Sequence, residues 1–209
     1  MSERLPSKWK FYPREQSPFF NLHSKRRLAE LLHREPKQIF GLLQLPARER
    51  FCIRPQTVKD KIRIVQVPRG DLKRIHRRLF CLLNQIQLPD YVYSGRRGRS
   101  YIDNAKVHVG SRVVYKLDIK RFFESVLWGD IFRFFRYDMC CSPDVAGTVS
   151  DLCTVDPGAS SLCSGGHIPT GSPISMSLAY WAFAPMFNEI FGLAKDADLR
   201  MTLYVDDIT

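Results

Sequence analysis

Met201-Thr202-Leu203-Tyr204-Val205-Asp206-Asp207 sets a short apolar run against two adjacent carboxylates. Read as a strand, it places Met201, Leu203 and Val205 on one face and Thr202, Tyr204 and Asp206 on the other. Two functional carboxylates in succession fit best at a tight turn, where that alternation breaks. Paired acids at the end of an apolar strand are costly unless something neutralises them, and a bound divalent cation does so. An ordinary acidic turn is the alternative, since Asp favours turns.

A second strand-like run, Arg112-Val113-Val114-Tyr115-Lys116-Leu117-Asp118, also ends in an acid and continues into Ile119-Lys120-Arg121-Phe122-Phe123. Between the two lies Ile168-Pro169-Thr170-Gly171-Ser172-Pro173, a rigid turn opening a helix. An acid at a strand end, a Gly-Ser-Pro turn and Tyr-x-Asp-Asp, in that order and at wide spacing, resemble the palm of reverse transcriptases. The resemblance implies an α+β right-hand polymerase, with fingers and an antiparallel palm sheet packed on helices, and with the thumb absent from this chain. Nucleotidyl transfer from a triphosphate uses two metal ions about 4 Å apart. Mg²⁺ keeps few protein ligands, typically carboxylates. The implied catalytic and metal-binding set is therefore Asp118, Asp206 and Asp207, with the backbone carbonyl of Ile119 as an extra ligand. The implied cofactor is a pair of Mg²⁺ ions, with Mn²⁺ as a substitute.

The 209 residues suggest one or two domains, and 44% hydrophobic content calls for a packed core. The net charge of +11 hides an asymmetry. Residues 1–137 hold 30 of the 32 Lys and Arg against 12 acids, and the remainder holds 2 against 9. A basic front and an acidic rear suit a polyanion binder with a metal site, the alternative being a solvated basic surface. The six cysteines form no Cys-x-x-Cys pair and have no His at zinc spacing. With no signal peptide at Met1-Ser2-Glu3-Arg4, they read as free thiols in a reducing cytoplasm. No run approaches the ~18 apolar residues of a membrane span, so no membrane association is expected.

Along the chain, residues 1–23 read as an extended arm, Ser24 caps a helix from Lys25 to Arg34, and Pro36 starts a second. Arg50–Val58 and Ile62–Val67 read as a hairpin turning at Lys59-Asp60-Lys61. A helix over 71–86 pairs an apolar stripe with a basic face of Lys73, Arg74, Arg77 and Arg78 that suits a nucleic-acid backbone. Ser100-Tyr101-Ile102-Asp103 is a capping box after the basic loop Arg96-Arg97-Gly98-Arg99. Phe132, Phe134, Phe135 and Tyr137 read as core, 156–166 as a loop, and 174–191 as a helix capped by Ser172 and interrupted at Pro185.

The resemblance extends to details. Arg63-Ile64-Val65-Gln66-Val67-Pro68 is similar to the fingers motif of bacterial reverse transcriptases, which implies that Arg63 grips the incoming triphosphate, with Lys61 and Lys59 as lesser candidates. Phe123 stands where the family puts an aromatic beneath the sugar, and Gly171 where a backbone lies against the forming base pair. Thr170 departs from the Gln of many relatives, which puts its polar contact to the nucleotide in question. Asn104-Ala105-Lys106-Val107-His108 resembles a signature of retron reverse transcriptases. It implies RNA binding by Asn104 and His108, beside phosphate contacts from Arg96, Arg97 and Arg99. The implied division is an arm with helices (1–49), fingers (50–110) and an incomplete palm interleaved with them (111–209). The implied partners are a structured non-coding RNA as template and primer, the DNA product, dNTPs and an effector protein in defence against phage. Rival readings are another defence-associated or group II intron-type reverse transcriptase, or a catalytically silent RNA- or effector-binding fragment. A further expectation is that the strand 201–205 lacks a partner, so that these residues alone are an inactive, poorly soluble part of a longer enzyme.

Overall fold

The computed structural model describes residues 10–58, 61–96, 98–156 and 166–209. A 3-10 turn at Arg14–Gln16 is followed by three α-helices, α1 (Lys25–Leu31), α2 (Pro36–Gln44) and the single turn α3 (Ala47–Arg50). A hairpin of β1 (Phe51–Val58) and β2 (Lys61–Pro68) leads into α4 (Gly70–Leu83) and α5 (Tyr101–Lys106). Next come β3 (Leu117–Asp118), α6 (Phe122–Ser125), α7 (Trp128–Arg133) with a π-helical turn at Phe134–Asp138, and α8 (Pro143–Cys153). The chain continues through α9 (Ser175–Ala182) and α10 (Ala184–Asp196) to β4 (Leu203–Tyr204) and β5 (Asp207–Ile208). The result is an α+β mixture with two small antiparallel sheets, β1–β2 and a three-stranded sheet in the order β3–β5–β4.

Local chemistry accounts for the helix starts. Ser24 Oγ accepts from Arg27 N–H at 3.3 Å, Glu35 and Gln38 form a reciprocal box ahead of Pro36, and Ser100 and Asp103 do the same for α5. Each satisfies amides that a helix start leaves orphaned. In α4 the stripe Leu72, Ile75, Leu79, Leu82 and Leu83 is buried, as its 3.6-residue spacing requires. The helical run after Ser172 breaks at Phe183, and Pro185 opens α10, because proline cannot donate to the preceding turn. The core is one cluster, with Phe19, Phe134 and Phe135 in edge-on contact at its centre.

Several expectations change. Of the run 112–118 only Leu117 and Asp118 pair, while Val113, Val114 and Tyr115 are exposed, because no described element lies opposite them. Tyr137 is exposed and not core. The helix α9 starts at Ser175 with Ile174 as its N-cap, and the Ser172 hydroxyl accepts from Ile174 N–H at 3.4 Å while its shorter bond, 2.6 Å, goes to His76. The strand 201–205 shrinks to Leu203–Tyr204, and its expected open edge is not seen. It pairs with β5 on one side and with Tyr91 and Tyr93 on the other. The arm before Lys10, the turn residues Lys59 and Asp60, most of the 156–166 loop and Cys163 lie outside the described residues. The other five cysteines are free thiols. Among the described residues no helix is long and apolar enough to cross a membrane.

Phe135→Ala is expected to cost about 3–5 kcal/mol by urea denaturation, since its ring is fully buried between two others. Phe40→Ala, at a ring 68% exposed, is expected to stay within about 0.5 kcal/mol of the parent.

Candidate active site

Tyr204 and Asp207 are register partners flanking a two-residue loop of Val205 and Asp206. Val205 has φ of 61° and Asp206 is not in the positive-φ region, which is the type II′ pattern, where glycine is the usual first residue. A β-branched side chain there is strained by about 1–3 kcal/mol and persists only where its surroundings fix it. They do so here on both sides. Leu203 N–H donates to Tyr91 O at 2.8 Å, Tyr93 N–H donates to Leu203 O at 2.9 Å, and Thr202 and Thr209 exchange bonds of 2.8 and 3.0 Å.

This turn brings the acids together. Asp118 lies opposite Asp207 across β3 and β5, and Ile119 N–H donates to Asp206 O at 3.1 Å. Burial holds the Asp206 carboxyl above its usual range, and the charges of Asp118 and Asp207 push it the same way. The cluster draws the nearest cation, with Lys116 Nζ 3.0 Å from Asp207 Oδ1. Hydrogen bonding to Asp207 and the charges of all three acids raise the ammonium's pKa. The Lys116 side chain is 60% exposed, so this pair is screened and worth little. Lys116 carries no role in the sequence reading, although it sits two residues before Asp118, a spacing that puts the two side chains on one side of an extended chain. An all-oxygen donor set is what Mg²⁺ prefers. Among the described residues no three His, Cys, Asp or Glu side chains already converge on one point, so metal binding requires these carboxylates to draw closer.

The turn at 169–173 packs on β2. A Cβ on Gly171 would stand 2.8 Å from Gln66 O, Val65 Cγ1 and Val67 Cγ2, and Gly171 N–H donates to Gln66 O at 3.0 Å. Thr170 closes the contact. Its N–H donates to Gln66 Oε1 at 3.1 Å, and its hydroxyl lies 2.9 Å from that oxygen and 3.1 Å from Ile64 O. A buried amide next to the turn is thus supplied by β2, and the one sign of it in the sequence is a Gln inside an apolar strand. His76 is fully buried, with its pKa lowered to about 4 by desolvation. Its Nε2–H donates to Leu152 O at 2.8 Å, so neutral Nδ1 accepts from Ser172 Oγ at 2.6 Å.

The remaining candidates fall into two groups. Arg63 is exposed and shares a strand face with Val65 and Val67, the face that meets Gly171. Phe123 is half-buried in α6 beside Phe122, with ring centres 5.8 Å apart. Arg96, Arg99, Asn104 and His108 form a separate group, in which Arg96 and Arg99 contact Asp90, and His108 contacts Thr202 just before β4. Arg97 and the Lys61 side chain lie outside the described residues.

The family model for reverse transcriptase (RNA-dependent DNA polymerase) matches residues 53–209. A retron Se72 reverse transcriptase of Salmonella heidelberg (strain 579083-10) is 30% identical over 184 residues, covering 87% of this chain and 46% of the relative. A retron Mx65 reverse transcriptase of Myxococcus xanthus is 30% identical over 158 residues, covering 71% and 37%. A retron Ec86 reverse transcriptase of Escherichia coli is 21% identical over 160 residues, covering 76% and 47%. The chain spans about half the length of these relatives or less.

Gly171→Ala is expected to destabilise the protein by about 1–3 kcal/mol in a urea melt, because its methyl group meets backbone and two valines that cannot all give way. Asp206 has the opposite sign. A carboxyl with a raised folded pKa contributes fully below the ordinary carboxylate range and loses that contribution as pH rises through its folded pKa. Asp206→Asn is therefore expected to melt no lower than the parent at neutral pH in EDTA. It should also flatten the fall in stability just above the ordinary carboxylate pKa of about 3.9, which thermal melts across pH would show.

Proposed function

This chain belongs to the reverse transcriptase family, and we propose that it forms the fingers and palm of a retron-type RNA-directed DNA polymerase. The reaction joins dNTPs to a DNA strand templated by a structured non-coding RNA. The observation that carries this reading is the pairing of Asp118 with Asp207 beside a strained turn that holds Asp206. Residues 1–49 then form an arm and helices, 50–110 the fingers and 111–209 the palm.

Asp118, Asp206 and Asp207, with the Ile119 carbonyl, would hold two Mg²⁺ ions, or Mn²⁺ in their place. When bound, these ions would supply the charge that activates the hydroxyl attacking the α-phosphorus and steadies the pyrophosphate that leaves. The chain's own residues do the rest. Arg63, helped by Lys61, holds the triphosphate from the hairpin face. Phe123 sits beneath the sugar and leaves no room for a 2′-hydroxyl, which rejects ribonucleotides at no cost to the deoxy substrate. The backbone at Gly171, fixed by Gln66 and Thr170, forms a wall against the new base pair. Lys73, Arg74 and Arg77 line the exposed face of α4 and track phosphates. An effector protein and a role in defence against phage belong to the same proposal, through the relatives' retron identity.

The test uses the full-length gene product in primer extension. The parent is expected to incorporate dNTPs, and Asp118→Asn or Asp206→Asn to abolish incorporation by a factor of roughly 10³ or more. Phe123→Ala is expected to admit ribonucleotides. Normal extension by either Asn variant would refute the catalytic assignment, and unchanged sugar selectivity would return Phe123 to a packing role.

A further inference from the structure

We infer that His108, with Arg96 and Arg99, is a positioning element for the hairpin that carries Asp206 and Asp207, and not a surface that reads RNA. The inference rests on the polymerase reading of that hairpin. It starts from where these polar groups are directed. Asp90 takes Arg96 Nη2 at 3.3 Å and Arg99 Nη2 at 3.2 Å. Because Asp90 is 92% exposed, those ion pairs count for little in energy. The same guanidiniums also cap backbone carbonyls. Arg96 Nη1 donates to Pro89 O at 3.3 Å, and Arg99 Nη1 donates to Asp90 O and, at 3.4 Å, to Val92 O. Arg99 further lies 4.5 Å above the Tyr93 ring. Both cations therefore hold 89–93, a turn closed by Val92 N–H donating to Pro89 O at 3.1 Å, in the shape that pairs with Leu203 of β4.

The helix that follows continues the contact. The Ser100–Asp103 box fixes where α5 begins, and so where Asn104 and His108 stand. Asn104 is only 8% exposed and its Oδ1 has no hydrogen-bond partner, so the contact to the hairpin is made by its neighbours. His108 Nε2 lies 2.7 Å from Thr202 Oγ1, and Arg200 Nη1 donates to Val107 O at 2.7 Å. Thr202 is 1% exposed, and its N–H and C=O are both paired with Thr209. From that pair the ladder runs through Leu203–Ile208 and Tyr204–Asp207 to the strained Val205 turn. A displaced Thr202 would move the whole ladder, and small misplacements of catalytic groups are costly.

The experiment compares His108→Ala, His108→Gln, Thr202→Val and the double variant His108→Ala/Thr202→Val in the full-length gene product. Gln is chosen because its amide can place a donor near the position of Nε2. Three quantities are read: amide hydrogen exchange of peptides spanning 202–208, kcat and KM for dTTP on poly(rA)/oligo(dT), and Kd for that duplex by anisotropy. His108→Ala and Thr202→Val should each speed exchange and lower kcat on the order of 10- to 100-fold, with Kd changed less than about twofold. Gln should restore both, and the double variant should be no worse than the singles. Unchanged exchange in His108→Ala, a Kd loss matching the kcat loss, or additive singles would each overturn the inference. A parent that exchanges as described but incorporates no dTTP would refute the polymerase reading and leave the brace standing.

Discussion

Three carboxylates brought near one another at one end of the three-stranded sheet are the constraint on which the rest of the structure depends. Asp118 faces Asp207 across a strand pair, and Asp206 is carried at a turn with the wrong kind of residue, Val205, in a left-handed conformation. Like charges repel and strained turns relax, so both features need support from outside the hairpin. The sheet provides it by pairing β5 on both sides, and the segment 91–93 covers the free side of β4. The Lys116 ammonium lies against Asp207, where positive charge is favoured by all three acids.

The second support is the contact between the β1–β2 hairpin and the 169–173 turn. Gly171 allows the approach, Thr170 and Gln66 satisfy each other's polar groups, and neutral His76 ties Ser172 to the end of α8. In the proposed polymerase this joins the surface that would grip a triphosphate to the surface that would meet the base pair. Polar groups in such a buried contact either all find partners or the contact fails, because an unpaired one costs about 1–3 kcal/mol. The aromatic centre of Phe19, Phe134 and Phe135 gives the helices behind the sheet a rigid base.

Much of this was legible in the sequence where the signal is local. Ser24, the box at Ser100 and Asp103, the stripe of α4 and the break at Pro185 follow from period and capping alone. So does the hairpin of 51–68, which alternates over enough residues to declare itself. The acids were legible through their motifs. What escaped depends on partners far away in the chain. The lengths of β3 and β4 are set by which neighbours exist, and Leu203 finds its neighbour at Tyr91. Ser172 reads only as a cap, yet the shorter bond of its hydroxyl goes to His76, 96 residues away. Arg96 and Arg99 read as free positive charge, although Asp90, which they contact, lies only six and nine residues before them.

The central claim is that Asp118, Asp206 and Asp207 together hold the metal pair of a polymerase. Crystals of the full-length gene product grown with a primer–template, an incoming dNTP and Mn²⁺ test it most directly, through the anomalous signal of the metal. The account predicts two peaks about 4 Å apart, both within coordination distance of these three side chains, with Lys116 turned away from Asp207. Peaks bound elsewhere, or a fully assembled substrate complex with Lys116 still on Asp207 and no metal on the carboxylates, would contradict it.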